Sequence, residues 1–180
     1  VKAAIGSMFF DDFNRADSSA VGNGWNELDG GDMLSIKKNS LHLTSEADRS
    51  AYLRTDGVDQ NGIRIKLHLE ILVKNGNQVI QVGVRGGGGV EPAYRDCFGF
   101  AIFPNSGVQP NDTGFQGAIT LYSFSVGAVY NIEVTILKNS AREIRVWPFD
   151  ESRPIEATAF AEPQQILSGG SKIQIGFDSG

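Results

Sequence analysis

Between residues 63 and 71 the chain reads Ile-Arg-Ile-Lys-Leu-His-Leu-Glu-Ile, with Ile63, Ile65, Leu67, Leu69 and Ile71 on one phase and Arg64, Lys66, His68 and Glu70 on the other. Side chains alternate faces along a strand with a period of two, so this pattern specifies a half-buried β-strand. The alternation returns in VYNIEVTIL, where Tyr130, Ile132, Val134 and Ile136 oppose Asn131, Glu133 and Thr135, and in REIRVW, where Ile144 and Val146 oppose Arg145 and Trp147. Between these two runs, NSAR at 139–142 is a hairpin-turn candidate.

Turn-forming clusters (GNG, DGG, KNS, KNGN, RGGGG, NSG and a second KNS) punctuate the rest of the chain and separate runs of four to twelve residues. Further strands are expected at 8–13, 33–37, 40–44, 51–55, 78–85, 97–103, 116–124, 154–160 and 172–177, and no segment has a helical period. About a dozen strands without a helix call for an all-β fold of two packed antiparallel sheets, a β-sandwich. A chain of 180 residues is sized for one domain that buries roughly 70% of its unfolded surface. We expect residues 9–180 to form that module, residues 1–8 to be an extension or cloning remnant, and the module to be cut from a longer chain.

Composition excludes several classes. The net charge is −5 and no Lys/Arg cluster occurs, which leaves nucleic acid a poor partner. No apolar run approaches the roughly 20 residues of a membrane-spanning helix. Two histidines and the single Cys97, set in the apolar run CFGFAIF, cannot build a tetrahedral zinc site. RGGGGV is followed by neither a Lys-Ser/Thr pair nor a helix, so its glycines read as a loop and not as a phosphate cradle. Glycoside hydrolysis needs two carboxylates roughly 5–9 Å apart on one face. The nearest approaches, Glu27, Asp29 and Asp32 in ELDGGD and the FDES stretch at 149–152, read as turns. DGVDQNG lacks the spacing and terminal Glu of a calcium loop.

The opening stretch FFDDFNRADSSAVGNGW places Phe9 or Phe10 and Phe13 toward a core with the acids at an edge, and NGW turns the chain so that Trp25 enters a second strand. DDFNRADSSAVGNGW resembles the D-x-F-N-R-A-x-S-x-x-L-G-x-x-W start of bacterial extracellular modules and bacteriophage minor tail proteins. IQVGVRG, CFGFAI and GAVYNIEVTILKNSAREIRVWPFDESRPIEATA resemble later strands of the same group. On these motifs the chain resembles the concanavalin A-like lectin/glucanase superfamily, in its laminin-G-like branch. The resemblance implies a jelly-roll sandwich. It departs from the family in two places: the last strand stops early at Phe177-Asp178, and the ExDxE strand of the glucanase branch is missing.

If the strands from 62 to 124 form one meander, their non-core phase carries Gln81, Gly83, Arg85, Gly99, Ala101, Thr120 and Tyr122, a shallow groove of small residues beside polar and aromatic groups. Aromatic faces cover the C–H side of a pyranose while polar groups satisfy its hydroxyls. Tyr94, Arg95 and Asp112, in the long segments 86–96 and 104–115, would complete the rim. The bland alternative is that Tyr122 and Trp147 simply cover sheet surface. The resemblance further implies a structural calcium ion near the joined first and last strands, with Asp12 and Asp178 as its candidate ligands. The function expected is a non-catalytic, carbohydrate-binding or adhesion module, extracellular or at a cell surface, with a glycan as its partner. A bacteriophage virion domain packing against neighbouring subunits is the alternative, and a polysaccharide-degrading enzyme the third reading.

Overall fold

The period-two segments pair with one another in register, as a half-buried sheet requires. A computed structural model describes residues 11–27, 34–43, 50–58, 63–72, 74, 78–85, 97–111, 117–137, 141–162 and 171–179. In chain order its strands are β1 (Asn26–Glu27), β2 (Leu34–Lys37), β3 (Ser40–Leu43), β4 (Ser50–Val58), β5 (Ile63–Glu70), β6 (Gln78–Arg85), β7 (Cys97–Phe103), β8 (Gly107–Asn111), β9 (Thr120–Leu121), β10 (Val129–Ile136), β11 (Arg142–Pro148), β12 (Ala159–Ala161) and β13 (Ser171–Ser179). No helix occurs among the described residues, and none of them forms a helix long and apolar enough to cross a membrane.

Strands β12-β11-β10-β5 form a four-stranded sheet and β1-β4-β13-β6-β7-β8-β9 a seven-stranded one, while β2 and β3 form a separate hairpin. All pairings are antiparallel. In the small sheet, the rows Ile144–Val134–Ile65 and Val146–Ile132–Leu67 turn toward the large one. The large sheet answers with Ile173–Val84–Phe98, and with Val82–Phe100 and Ile80–Ile102–Val108. Val82, Val84, Phe100, Ile102, Val134 and Ile144 are fully buried, each contributing about 1.5–3 kcal/mol before chain entropy is subtracted. The two-sheet sandwich is the expected architecture, and the β2–β3 hairpin is the addition to it.

That hairpin closes through Lys38 and Asn39, both at positive φ (52° and 59°), the backbone a two-residue type I′ turn demands. Its Leu34 and Ile36 join Val21 and Trp25 in a second core, packed against Phe13, Leu41, Ile173 and Ile175.

The opening stretch differs from expectation. Its described part, Asp11–Phe13, is a folded corner rather than a strand, because its polar groups bond to one another instead of to a sheet. The Asp11 carboxylate accepts from the Phe13 N–H (2.8 Å), from Arg15 Nη1 (2.7 Å) and Nη2 (3.1 Å), and from Trp25 Nε1 (2.8 Å). Arg15 passes on to the Val21 carbonyl through Nε (3.0 Å) and Nη2 (2.7 Å) and covers the Phe13 ring, which stacks on Trp25. Phe13 takes φ 55°, a left-handed conformation that the Asp11 side chain holds in place. Spaced four and fourteen residues from the acid, Arg15 and Trp25 are thus one hydrogen-bonded unit.

A second difference concerns β10. Its polar phase was expected to face water, yet Glu133 is fully buried and Thr135 nearly so. The segment after β11 folds back over this face. Arg153 clamps the Glu133 carboxylate, and Arg145 donates to the Ile155 carbonyl through Nε (3.4 Å) and Nη2 (3.2 Å).

Burial of Asp11 favours its neutral form, but Arg15 and the donors from Phe13, Trp25 and Asn23 outweigh it and hold the carboxyl below its usual range. A depressed folded pKa contributes stability above the unfolded value of about 3.9, and that contribution is lost as pH falls through the folded value. Asp11→Asn is therefore expected to cost about 2 kcal/mol at neutral pH. The gap from wild type should close below pH about 4 in denaturant melts, whereas a pH-independent gap would show that the charge of Asp11 does not hold the corner.

Candidate functional site

On β6 the side chains of Ile80, Val82 and Val84 enter the core, so Val79, Gln81 and Gly83 take the outer face of the large sheet. The register sets two rows across that face. One runs Gly176–Gln81–Ala101–Gln109, the next Gln174–Gly83–Gly99–Asn111. Gln81, Gln174 and Asn111 are all fully buried. Their amides surround a floor that has almost no side chains, because the four positions between them are Gly176, Ala101, Gly83 and Gly99.

The floor is bare for a steric reason. A Cβ on Gly83 would stand 2.3 Å from the Phe98 carbonyl oxygen, and one on Gly99 would stand 2.2 Å from that of Val82. Only glycine lets β6 and β7 approach so closely here. Gln81, beside them, has no hydrogen-bond partner among the described residues for either its Oε1 or its Nε2. A buried amide left unpaired costs about 1–3 kcal/mol.

Beneath the floor stands a residue whose importance the sequence reading missed. Arg142 occupies the inward phase of β11 beside Ile136, where its neighbours in phase are Ile144 and Val146, and it is only 1% exposed. Its Nε donates to the Gly99 carbonyl (3.1 Å) and its guanidinium covers the Phe98 ring at 4.3 Å. A single buried cation therefore links the small sheet to the backbone of the floor. The signal was present as an arginine in phase with an isoleucine and a valine, but the turn reading of NSAR absorbed it. Cys97 lies in the same field: burial pushes its thiol up to about 12 despite the attraction of Arg142, which makes it an unreactive interior residue.

Of the residues expected to form the groove, Gln81, Gly83, Gly99 and Ala101 do share the outer face. Arg85 ends β6 opposite Cys97 and Lys172, and its side chain lies outside the described residues, as do Tyr94, Arg95 and Asp112 altogether. β6 ends, β7 begins and β8 ends at one end of the sheet.

Thr120 and Tyr122 do not belong to the face. Thr120 pairs with the inward Val108, and Tyr122 packs on the core against Phe124 (ring centroids 4.8 Å) and Tyr130 (6.0 Å). Leu121 is the exposed residue, at 83%. The error is one of phase: β9 is two residues long, and a shift of one residue exchanges the faces of everything that follows. Burial accordingly pushes the Tyr122 phenol above its usual range.

The calcium expectation finds no ligand set among the described residues. Asp12 is exposed and its Oδ1 accepts the Asn14 N–H (3.0 Å) within its own turn. Asp178 pairs with Val79 and Ser50 through its backbone, its side chain being outside the described residues. No group of three His, Cys, Asp or Glu side chains among the described residues is placed to hold an ion.

No family model and no curated protein matches the chain. Solved structures do. The Emp46p carbohydrate recognition domain in its potassium-bound form superposes with a TM-score of 0.58 at 10% identity, over 87% of this chain and 82% of that one. The SPRY domain of human HERC1 gives 0.50 at 16% identity, over 95% and 90%. A protein of unknown function from Shewanella oneidensis MR-1 gives 0.52 at 13%, over 87% and 78%. These are likenesses of fold, and with the two antiparallel sheets they make this chain a concanavalin A-like jelly-roll sandwich.

The glycine floor is open to a direct test. Gly99→Ala is expected to lower stability by about 3 kcal/mol in denaturant unfolding, because the added methyl meets backbone that cannot retreat. An unchanged midpoint would mean that β6 and β7 have slack at this pair.

Proposed function

We propose that this chain is a non-catalytic glycan-binding module of a secreted or surface-exposed protein. One observation carries the reading: the chain shares its fold with the carbohydrate recognition domain of Emp46p over 87% of its length. Gln81, Gln174 and Asn111 are fully buried, so the amide floor is interior packing and not the surface that a sugar meets. The carbohydrate recognition domains of Emp46p and Emp47p share the fold, which supports the class of ligand without assigning the site.

Catalysis is left out of the reading for a physical reason. Glu133, the fully buried carboxylate of the small sheet, is bonded by Arg153 and further held by the charges of Arg64 and Lys66, which keep it below its ordinary range. It is a fixed anion, unsuited to donate a proton near neutral pH.

The test separates binding from folding. The intact chain is expected to be retained on a glycan array, and a folded chain that retains no glycan would sink the proposal. Gln81→Met removes the unpaired buried amide at nearly constant volume, so it is expected to raise the unfolding free energy by about 1–3 kcal/mol and to leave that retention unchanged. The calcium expectation is checked separately by chelation: with Asp12 turned to its own loop, EDTA is expected to leave Tm unchanged, and a marked fall would restore Asp12 and Asp178 as ligands.

A further inference from the structure

The outer face of the four-stranded sheet carries a second pattern, distinct from the amide floor. Most of its phase is charged, as a solvated face should be. One row breaks that rule: Trp147, Asn131 and His68 stand directly opposite one another on β11, β10 and β5. Phe149, 55% exposed, meets the His68 ring edge-on at 4.8 Å. It is held there by its N–H to the Val129 carbonyl (2.9 Å), and Asn131 Nδ2 donates to the Pro148 carbonyl (3.2 Å). Two strand spacings separate Trp147 from His68, so these rings make a shelf about 10 Å across.

One residue pair along the strands, about 7 Å away, lies the row Arg145–Glu133–Lys66. Arg145 is occupied by Glu143 and by the Ile155 carbonyl. Lys66, with its side chain 62% exposed, and Arg153, 41% exposed, share the one buried carboxylate of Glu133. Two accessible cations on a single anion leave an excess of positive charge beside the shelf, in a chain whose net charge is −5. Glu70 lies at the opposite end, paired with Val129.

From this we infer that the shelf is a carbohydrate site, specific for an acidic sugar. A pyranose lies with its C–H face on Trp147 and Phe149, its hydroxyls reach Asn131 and His68, and its carboxylate or sulfate points to Lys66 and Arg153. Glu70 at the far end repels the charged group and so sets the direction in which the sugar chain runs. A half-buried Trp147 and an exposed Phe149 on a polar face are what neither folding nor solubility asks for. The inference rests on the glycan-binding reading and deepens it by naming a surface and a class of sugar.

Isothermal titration of the intact chain with a galacturonic acid tetrasaccharide, with its methyl ester and with a sulfated galactose oligomer tests it. The two anionic probes are expected to bind, more weakly as salt rises, and the ester at least tenfold less tightly. Trp147→Ala is expected to lose tenfold or more for the anionic probes, and Trp147→Phe, which keeps a ring on the sheet, to retain most of the affinity. Lys66→Gln should lower anionic binding several-fold and leave the ester unchanged. No binding of either anionic probe, or equal binding by wild type and Trp147→Ala, overturns the proposal. A concentration-dependent dimer abolished by Trp147→Ala would also overturn it, by assigning the face to a second copy of the chain. Retention of neutral glycans alone on the array would overturn this site and leave the glycan-binding reading standing, so the two outcomes are distinguishable.

Discussion

Strand β13 is the constraint on which the rest of the sandwich depends. It lies between β4 and β6 in the middle of the large sheet, bonded to both, although more than a hundred residues separate it from the end of β4. Its Ile173 packs against both hydrophobic clusters, Ile175 against the cluster of the opening corner, and Gln174 stands on the amide floor. Closing such a loop costs entropy before any contact repays it, so this topology is expected to fold slowly and as one unit. Losing β13 would divide the large sheet in two instead of trimming its edge.

Much of this architecture is legible in the sequence because burial on one face imposes a period of two. Ile63 to Glu70 and Tyr130 to Ile136 pair as their alternation requires, and CFGFAIF forms a strand that is buried on both faces. The corner was harder to see. Asp11, Arg15 and Trp25 are read as separate signals until their hydrogen bonds are known, and a carboxylate that looked like an edge charge proves to organise the second core. Phase was the other weak point: in a strand as short as β9 the apolar Ile119 and Leu121 suggested an inward face, whereas the aromatic Tyr122 fills it and Leu121 is left in solvent.

The candidate site was legible only in part, for a related reason. Small residues at positions 83, 99 and 101 marked the floor, but the close approach that forbids any side chain at the first two is a property of paired backbones. Glu133 and Thr135 looked solvated because their phase is polar. The segment that returns across them, through Arg153 and Ile155, comes from beyond the strand and leaves no trace in its period. Buried polar groups are where local pattern and tertiary structure part company, and here they include the residues with the clearest chemical purpose.

Arg142 has a consequence that reaches past either face. It is rooted in β11, the strand that also bears Arg145 and Trp147, and its guanidinium ends on the carbonyl of Gly99 in the opposite sheet. The layer between the sheets is otherwise packed by apolar side chains, whose contacts have no preferred direction. A rigid planar cation bridging that layer ties the position of one strand to the backbone of another. A displacement of β11 would therefore be felt at the Gly99 carbonyl, and any free-energy coupling between the two sheets that it carries is the same in size and sign from either side, since such linkage is reciprocal.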